Sequence, residues 1–299
     1  MTIDRDGLRL DKAVARWRGL SRAAVWRLLD QGAVLCNGQA LHRKHKGDIL
    51  RVGDRLAILP AYAQGEMPMP DTTVVLNVLQ QGEGWLVIDK SAGLPVRPHA
   101  LDETGTVINA AVARYPEMLG VGEGGLRSGV VHRLDTDTSG TLLIATEQAS
   151  WERLREAFSG HHITKRYLAL VHGTPAETGD ARRDLRIASH QPARVIVERA
   201  GCGQDDARTC SLGWRLVERL GDRASLIEVD LHTGFLHQVR AMMNALGHPV
   251  VGDRVYGSDA APIDAPRQML HAKSLAFESI NAEAPVPADM QEVLQSLRG

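Results

Sequence analysis

Leu10, Val14 and Trp17 recur at the spacing of one helical face, and Val25, Leu28 and Leu29 repeat that spacing a little further on. Ser21 is placed to cap the second helix, since a serine hydroxyl can accept from the free amides of a first turn, and Gly32 is placed to end it. The pattern then shortens. Val34-Leu35-Cys36 followed by Asn37-Gly38 reads as a strand entering a tight hairpin turn, and Gly53-Asp54 marks another turn before a strand over 55–59. Residues 1–60 are thus predicted to be a module of two helices and a small sheet. Between Pro60 and Thr73 no hydrophobic period survives, and Pro60, Pro68 and Pro70 surround Gly65, so 61–73 reads as a linker.

Beyond it, over 74–299, short apolar strands alternate with helices. Strands are expected at 73–79, 85–88, 130–134 and 142–146, with helices at 107–115 and 149–158. Later strands at 164–171, 194–198, 208–217 and 225–231 follow one another with little helix between them, which favours antiparallel pairing. A helix over 237–246 ends at Gly247. The expected class is α+β: a mixed, largely antiparallel domain preceded by a small one.

Charge sharpens this division. The net charge is −1, but residues 1–59 hold 12 basic and 6 acidic side chains (+6), and the remainder 23 and 30 (−7). A compact basic module on a mildly acidic body suits contact with a polyanion, because lysine and arginine neutralise phosphates without regard to sequence. A solvated charged surface is the plainer alternative. Cys36, Cys202 and Cys210 show no paired spacing, so neither a zinc ribbon nor a disulfide framework is indicated, and a reducing cytoplasm fits. The N-terminus lacks an apolar signal segment, and no run of eighteen apolar residues occurs, so export and membrane insertion are not expected.

Chemistry concentrates in His132-Arg133-Leu134-Asp135-Thr136-Asp137-Thr138-Ser139-Gly140. Leu134 ends one apolar segment and Gly140 precedes another, so Asp135 to Ser139 form an irregular connection from which a carboxylate can project into a cleft. From spacing alone, the preferred reading of Asp135 and of Asp137 is that each merely satisfies turn amides.

Two resemblances change the picture. Arg9-Leu10-Asp11-Lys12, Ser21-Arg22, Gly32, Val34 to Gly38 and Val52-Gly53-Asp54 make residues 8–59 similar to the alpha-L RNA-binding module. That likeness implies RNA contact by Arg22, Arg27, Arg43, Lys44 and Lys46. His132-Arg133-Leu134-Asp135 with Thr138-Ser139-Gly140 resembles the signature of RluA-type pseudouridine synthases. Further segments follow in the family's order: Asp89-Lys90 with Gly93-Leu94 and Val96; Lys165 and Tyr167; Leu231-His232-Thr233-Gly234 before His237-Gln238; Gly247-His248-Pro249; Gly252-Asp253; Tyr256-Gly257; and Leu270-His271-Ala272.

The second resemblance implies that a uridine in RNA is detached at N1, turned, and rejoined through C5. Asp135 would attack the anomeric carbon or draw off the 2′ proton, Tyr167 would stack on the displaced uracil, and Arg133 would fill the space left by the flipped nucleotide. Lys165 and Arg240 join the expected RNA contacts. No cofactor or metal is implied. Ribosomal RNA of the large subunit is the expected partner, with transfer RNA as the alternative, and the protein is expected to act as a cytoplasmic monomer. Three departures from the family pattern occur: at Ser91, at Ser279-Ile280, and at Phe235, where Thr-Gly-Arg is usual. Phe235 removes the arginine expected to pair with Asp135, which leaves Arg240, Arg208 or Lys165 to substitute for it, or activity weakened. It also motivates the rival reading of a non-catalytic RNA-binding or ribosome-assembly protein.

Weaker signals carry less. Gly120, Gly122 and Gly125 lack the strand and helix of a dinucleotide site, and the pair Asp135 and Asp137 only loosely matches a metal-dependent phosphatase loop. His161-His162 has no metal-binding spacing, and Met242-Met243 reads as a core segment.

Overall fold

Asn37 and Gly38 both adopt left-handed backbone conformations, with φ of 52° and 85°, and so close the hairpin their sequence predicts. The computed structural model describes residues 1–18, 22–30, 32–58, 67–190, 193–201, 206–257 and 263–299; Ser21, residues 61–66 of the expected linker, Cys202 and the Arg27 side chain lie outside the described set. The chain divides into two compact units, Met1–Met67 and Pro68–Gly299.

In the first unit β1 (Leu8–Arg9) leads into α1 (Leu10–Arg18), and α2 (Arg22–Asp30) is followed by β2 (Val34–Cys36), β3 (Gln39–Leu41), β4 (Ile49–Leu50) and β5 (Leu56–Ile58). Strand β2 lies between β3 and β5, and β1 pairs with β4. Leu10, Val14, Val25, Leu28, Leu29 and Val34 form the core, as their periodicity predicts, with Trp17 packed on its margin. Asp11, in the first turn of α1, is fully buried. Its burial opposes ionisation, but hydrogen bonds from Arg9, Arg22 and Trp26 outweigh that and hold its carboxyl below the usual range.

The second unit contains β6 (Asn77–Gly82), β7 (Trp85–Lys90), α3 (Val107–Arg114), β8 (Ser139–Ala145), α4 (Gln148–Ser159), β9 (Thr164–His172), β10 (Thr178–His190), β11 (Ala193–Arg199), β12 (Arg208–Leu220), β13 (Ala224–Leu231), α5 (Gln238–Ala245), β14 (Leu270–Phe277), β15 (Ile280–Glu283) and α6 (Ala288–Arg298). Ten strands make one sheet in the order β11-β10-β12-β13-β9-β14-β8-β7-β6, with β15 added on β14. Every pairing is antiparallel except β14 with β8, where His271 faces Ser139 and Ala272 faces Gly140. Strand β9 shows how the sheet is covered on both faces. Tyr167, Ala169 and Val171 enter the core beneath α3, α4 and α5, while the alternate residues Leu168 and Leu170 pack with Met290, Val293 and Leu294 of α6.

Two expectations are corrected. Residues 130–134 are not a strand: Val130 makes only an isolated bridge to Ile144, beyond the short stretch where β14 pairs with β8, and Trp151 and Arg155 of α4 take the carbonyls of Val130 and Val131. Residues 68–73 do not behave as linker. Asn109 on α3 donates to the Met69 carbonyl (2.7 Å) and accepts from the Asp71 amide (3.0 Å), while the Asp71 carboxylate accepts from the Gly105 amide (2.9 Å), so this stretch is sewn to the second unit.

Candidate active site

The connection from Val131 to Thr138 is held from several sides. Lys90, wholly buried at the end of β7, donates to the carbonyls of Ser91 (2.9 Å), Leu94 (2.8 Å) and Thr136 (2.8 Å). Burial pushes its ammonium down to about 8. Arg267 donates to the Asp137 carbonyl (2.9 Å) and to Ser139 Oγ (3.2 Å). On the other flank Arg155 of α4 holds the Val131 carbonyl (2.8 Å). His132 turns inward: its Nε2 accepts from the Leu143 amide (2.9 Å), its ring stacks on Phe158 at 4.5 Å, and burial depresses its pKa to about 3, so it is a neutral anchor for the loop. The Thr138 amide closes a turn onto the Asp135 carbonyl (3.0 Å). The sequence thus fixes the backbone on both sides of Asp135 and leaves its side chain to project.

Asp135 meets α5. Arg240 Nη1 donates to Asp135 Oδ2 at 2.9 Å, while its Nε and Nη2 grip both oxygens of Asp253 at 2.6 and 3.0 Å. Asp253 is buried, which opposes its ionisation, yet Arg240 and the Val255 and Tyr256 amides hold its carboxyl below the usual range. One guanidinium thereby bridges a buried structural carboxylate and a partly exposed one, with 22% of the Asp135 side chain open to solvent. Arg240 therefore supplies the cation that Phe235 does not. This also corrects the placement of Arg240 among RNA contacts, since it is buried and its donors are turned to the two aspartates. Phe235 lies in the cleft wall, its amide donating to Gln238 Oε1 (3.1 Å).

The cleft above Asp135 has a volume of about 1060 Å³. Arg97, Arg127, Arg133, Arg155, Lys165 and Arg208 line it, against Glu123, Asp135 and Asp206. Lys165 and Tyr167 share one face of β9 as residues two apart must. Lys165 Nζ donates to the Thr233 carbonyl (3.0 Å), and burial lowers it to about 8. Tyr167 is buried in the floor, its phenol raised by burial and by the nearby Asp135 charge. Arg133 is exposed at the mouth, and Asp137 is exposed and absent from the lining. Arg97, Arg127, Arg155, His237, Tyr256 and Asp253 complete the arrangement without having been singled out in the sequence as site residues. Of these, only His237, Asp253 and Tyr256 sit within segments that the resemblance marks.

In the first unit Arg22 ion-pairs with Asp11 (3.0 Å) and Arg43 with Asp30 (2.7 Å), while Lys44 and Lys46 are exposed. Arg22, Arg43 and Lys46 lie 4.9–5.4 Å from the centroid of the Trp26 ring, a basic cluster around one aromatic. Among the described residues no group of three or more His, Cys, Asp or Glu side chains is placed to hold a metal ion, and no helix is long and apolar enough to cross a membrane.

A large mixed sheet carrying an arginine-clamped carboxylate at the floor of a cationic cleft is the arrangement of an enzyme that acts on a nucleic-acid strand. The RNA pseudouridylate synthase model matches residues 84–245, and the chain belongs to that family, as an RluA-type synthase that isomerises uridine to pseudouridine in RNA. A ribosomal large subunit pseudouridine synthase D of Xanthomonas campestris is 34% identical, over 98% of this chain and 89% of its own length. An RNA pseudouridine synthase of Synechocystis sp. is also 34% identical, over 98% of this chain and 90% of its own. The fold is shared with human RNA pseudouridylate synthase domain containing 4, at a TM-score of 0.61 and 19% identity, covering 74% of this chain and 93% of that one.

Proposed function

We propose that this synthase converts uridines of structured large-subunit ribosomal RNA, as a cytoplasmic monomer, with Asp135 as the catalytic carboxylate. The observation that carries the reading is Asp135 itself, oriented by Arg240 and open to a cleft rimmed by six basic side chains. In the reaction the C1′–N1 bond of the target breaks, a C1′–C5 bond forms, N1 gains a proton and C5 loses one. Asp135 either attacks C1′ or removes the 2′ proton; both roles suit a carboxylate whose second oxygen is held by a guanidinium. Tyr167 forms the floor on which the released uracil stacks, and Arg133, exposed at the mouth, takes the space of the flipped nucleotide.

The relatives named as large-subunit enzymes and the basic first module, with Arg22, Arg27, Arg43, Lys44 and Lys46, support ribosomal RNA over transfer RNA as the substrate. The rival reading of a binding protein rested on Phe235, and Arg240 removes its motive. The test is tritium release from large-subunit ribosomal RNA transcribed with uridine labelled at C5. Wild-type protein is expected to release label without added metal, and Asp135→Asn to release none. Release that survives Asp135→Asn would falsify the assignment of the carboxylate.

A further inference from the structure

His237 is one of four described non-glycine residues with positive φ, at 51°, a conformation disfavoured for a side chain bearing Cβ. The surrounding groups dictate what this placement achieves. The Tyr256 hydroxyl accepts from the Val195 amide (2.9 Å) and lies 3.1 Å from His237 Nδ1. With the phenol donating to Nδ1, the acceptor placed for its proton among the described residues, the neutral imidazole carries its own proton on Nε2. That N–H faces Asp135 Oδ1 across 3.9 Å, too far for a hydrogen bond, while Arg240 occupies the other carboxylate oxygen. The imidazole lines the cleft and is mostly buried.

A fixed donor and a fixed acceptor separated by this gap fit one hydroxyl, about 2.8 Å from each, accepting from Nε2 and donating to Oδ1. Within an RNA strand the ribose has a single free hydroxyl, the 2′-OH, and it is bonded to the carbon next to C1′. We propose that His237 reads the 2′-hydroxyl of the target nucleotide and so makes the site selective for ribose over deoxyribose. This rests on the function proposed above. A deoxyribose leaves the Nε2–H of this mostly buried ring without its partner, which costs more than a missing contact at the surface.

The test is a double-mutant cycle on the full-length enzyme. A synthetic RNA stem-loop containing a uridine that the wild type converts is made with either ribose or 2′-deoxyribose at that one position. Wild type is compared with His237→Asn and His237→Gly, both tolerant of positive φ but unable to reach the gap. Any intrinsic effect of the deoxy sugar on the chemistry cancels between enzymes. The deoxy substitution is expected to lower kcat/KM of the wild type about tenfold more than that of either variant, with RNA affinity unchanged. His237→Gln, whose amide extends further than that of asparagine, is expected to recover part of the discrimination. Equal slowing of wild type and both variants overturns the assignment while leaving the proposed function intact. A wild type that converts no uridine of ribosomal or transfer RNA overturns the proposed function, and this assignment with it.

Discussion

At the scale of single residues, the site turns on how Arg240 divides its donors. Three of its nitrogens serve two carboxylates, so it is held by the buried Asp253 and aimed at Asp135. Removing one partner of such a buried pair leaves an uncompensated charge, and Asp253→Ala is expected to cost about 3–5 kcal/mol in urea unfolding and to lower turnover as Arg240 loses its aim. Phe235→Arg is expected to leave turnover no faster than wild type, since the place beside Asp135 is already taken; acceleration, with Arg240→Ala unchanged, would overturn this account. Lys165 adds a pH dependence. With its folded value near 8, it loses charge as pH rises through 8, so kcat/KM is expected to fall on that limb, and Lys165→Arg to move the fall to higher pH. Stability runs the other way: burying the charged amine disfavours folding below about 8, and that cost is relieved as pH approaches the ordinary 10.5. The sequence made Asp135, Tyr167 and Lys165 legible through their motifs. It did not decide the partner of Asp135 among Arg240, Arg208 and Lys165, because spatial pairing across 105 positions leaves no local trace.

At the scale of elements, the sheet and the loop over it depend on close approach of backbones. Gly140, with φ of 112°, lies where a Cβ would come within 2.1 Å of the Ala272 carbonyl, at the one parallel pairing of the sheet. Gly140→Ala is expected to lower thermal stability and activity together, at a cost of about 3 kcal/mol, as β8 and β14 are forced apart. Lys90→Met keeps the buried volume but strips three carbonyls of their donor, so it is expected to loosen residues 91–94 and the Asp135 loop, read as faster amide exchange there. Helices over 107–115, 149–158 and 237–246 were readable because an apolar stripe marks each. The long strand β10 was not, since its charged run Asp180 to Arg186 buries only Ala181, Asp184 and Leu185 among neighbours that face outward or are half-covered. The segment 130–134 read wrongly as a strand because Val131 and Leu134 serve core packing, and the carbonyls of Val130 and Val131 are taken by Trp151 and Arg155 of α4 rather than by a neighbouring strand.

At the scale of the whole molecule, the chain forms two units with separate cores, and the first of them carries the basic excess. The triple variant Arg43→Ala, Lys44→Ala, Lys46→Ala is expected to bind ribosomal RNA more weakly and with a shallower salt dependence, by roughly 0.7–0.9 in log–log slope for each phosphate that is no longer neutralised. An unchanged slope would remove the first unit from the RNA interface. Conversion of uridine in large-subunit ribosomal RNA through Asp135, as proposed, is tested most directly by chemical mapping of pseudouridine in cells with and without the gene. At least one large-subunit position is expected to lose its pseudouridine in the deletion, to regain it with the wild-type gene, and not to regain it with Asp135→Asn; an unaltered map, or full restoration by the Asp135→Asn gene, would overturn the assignment.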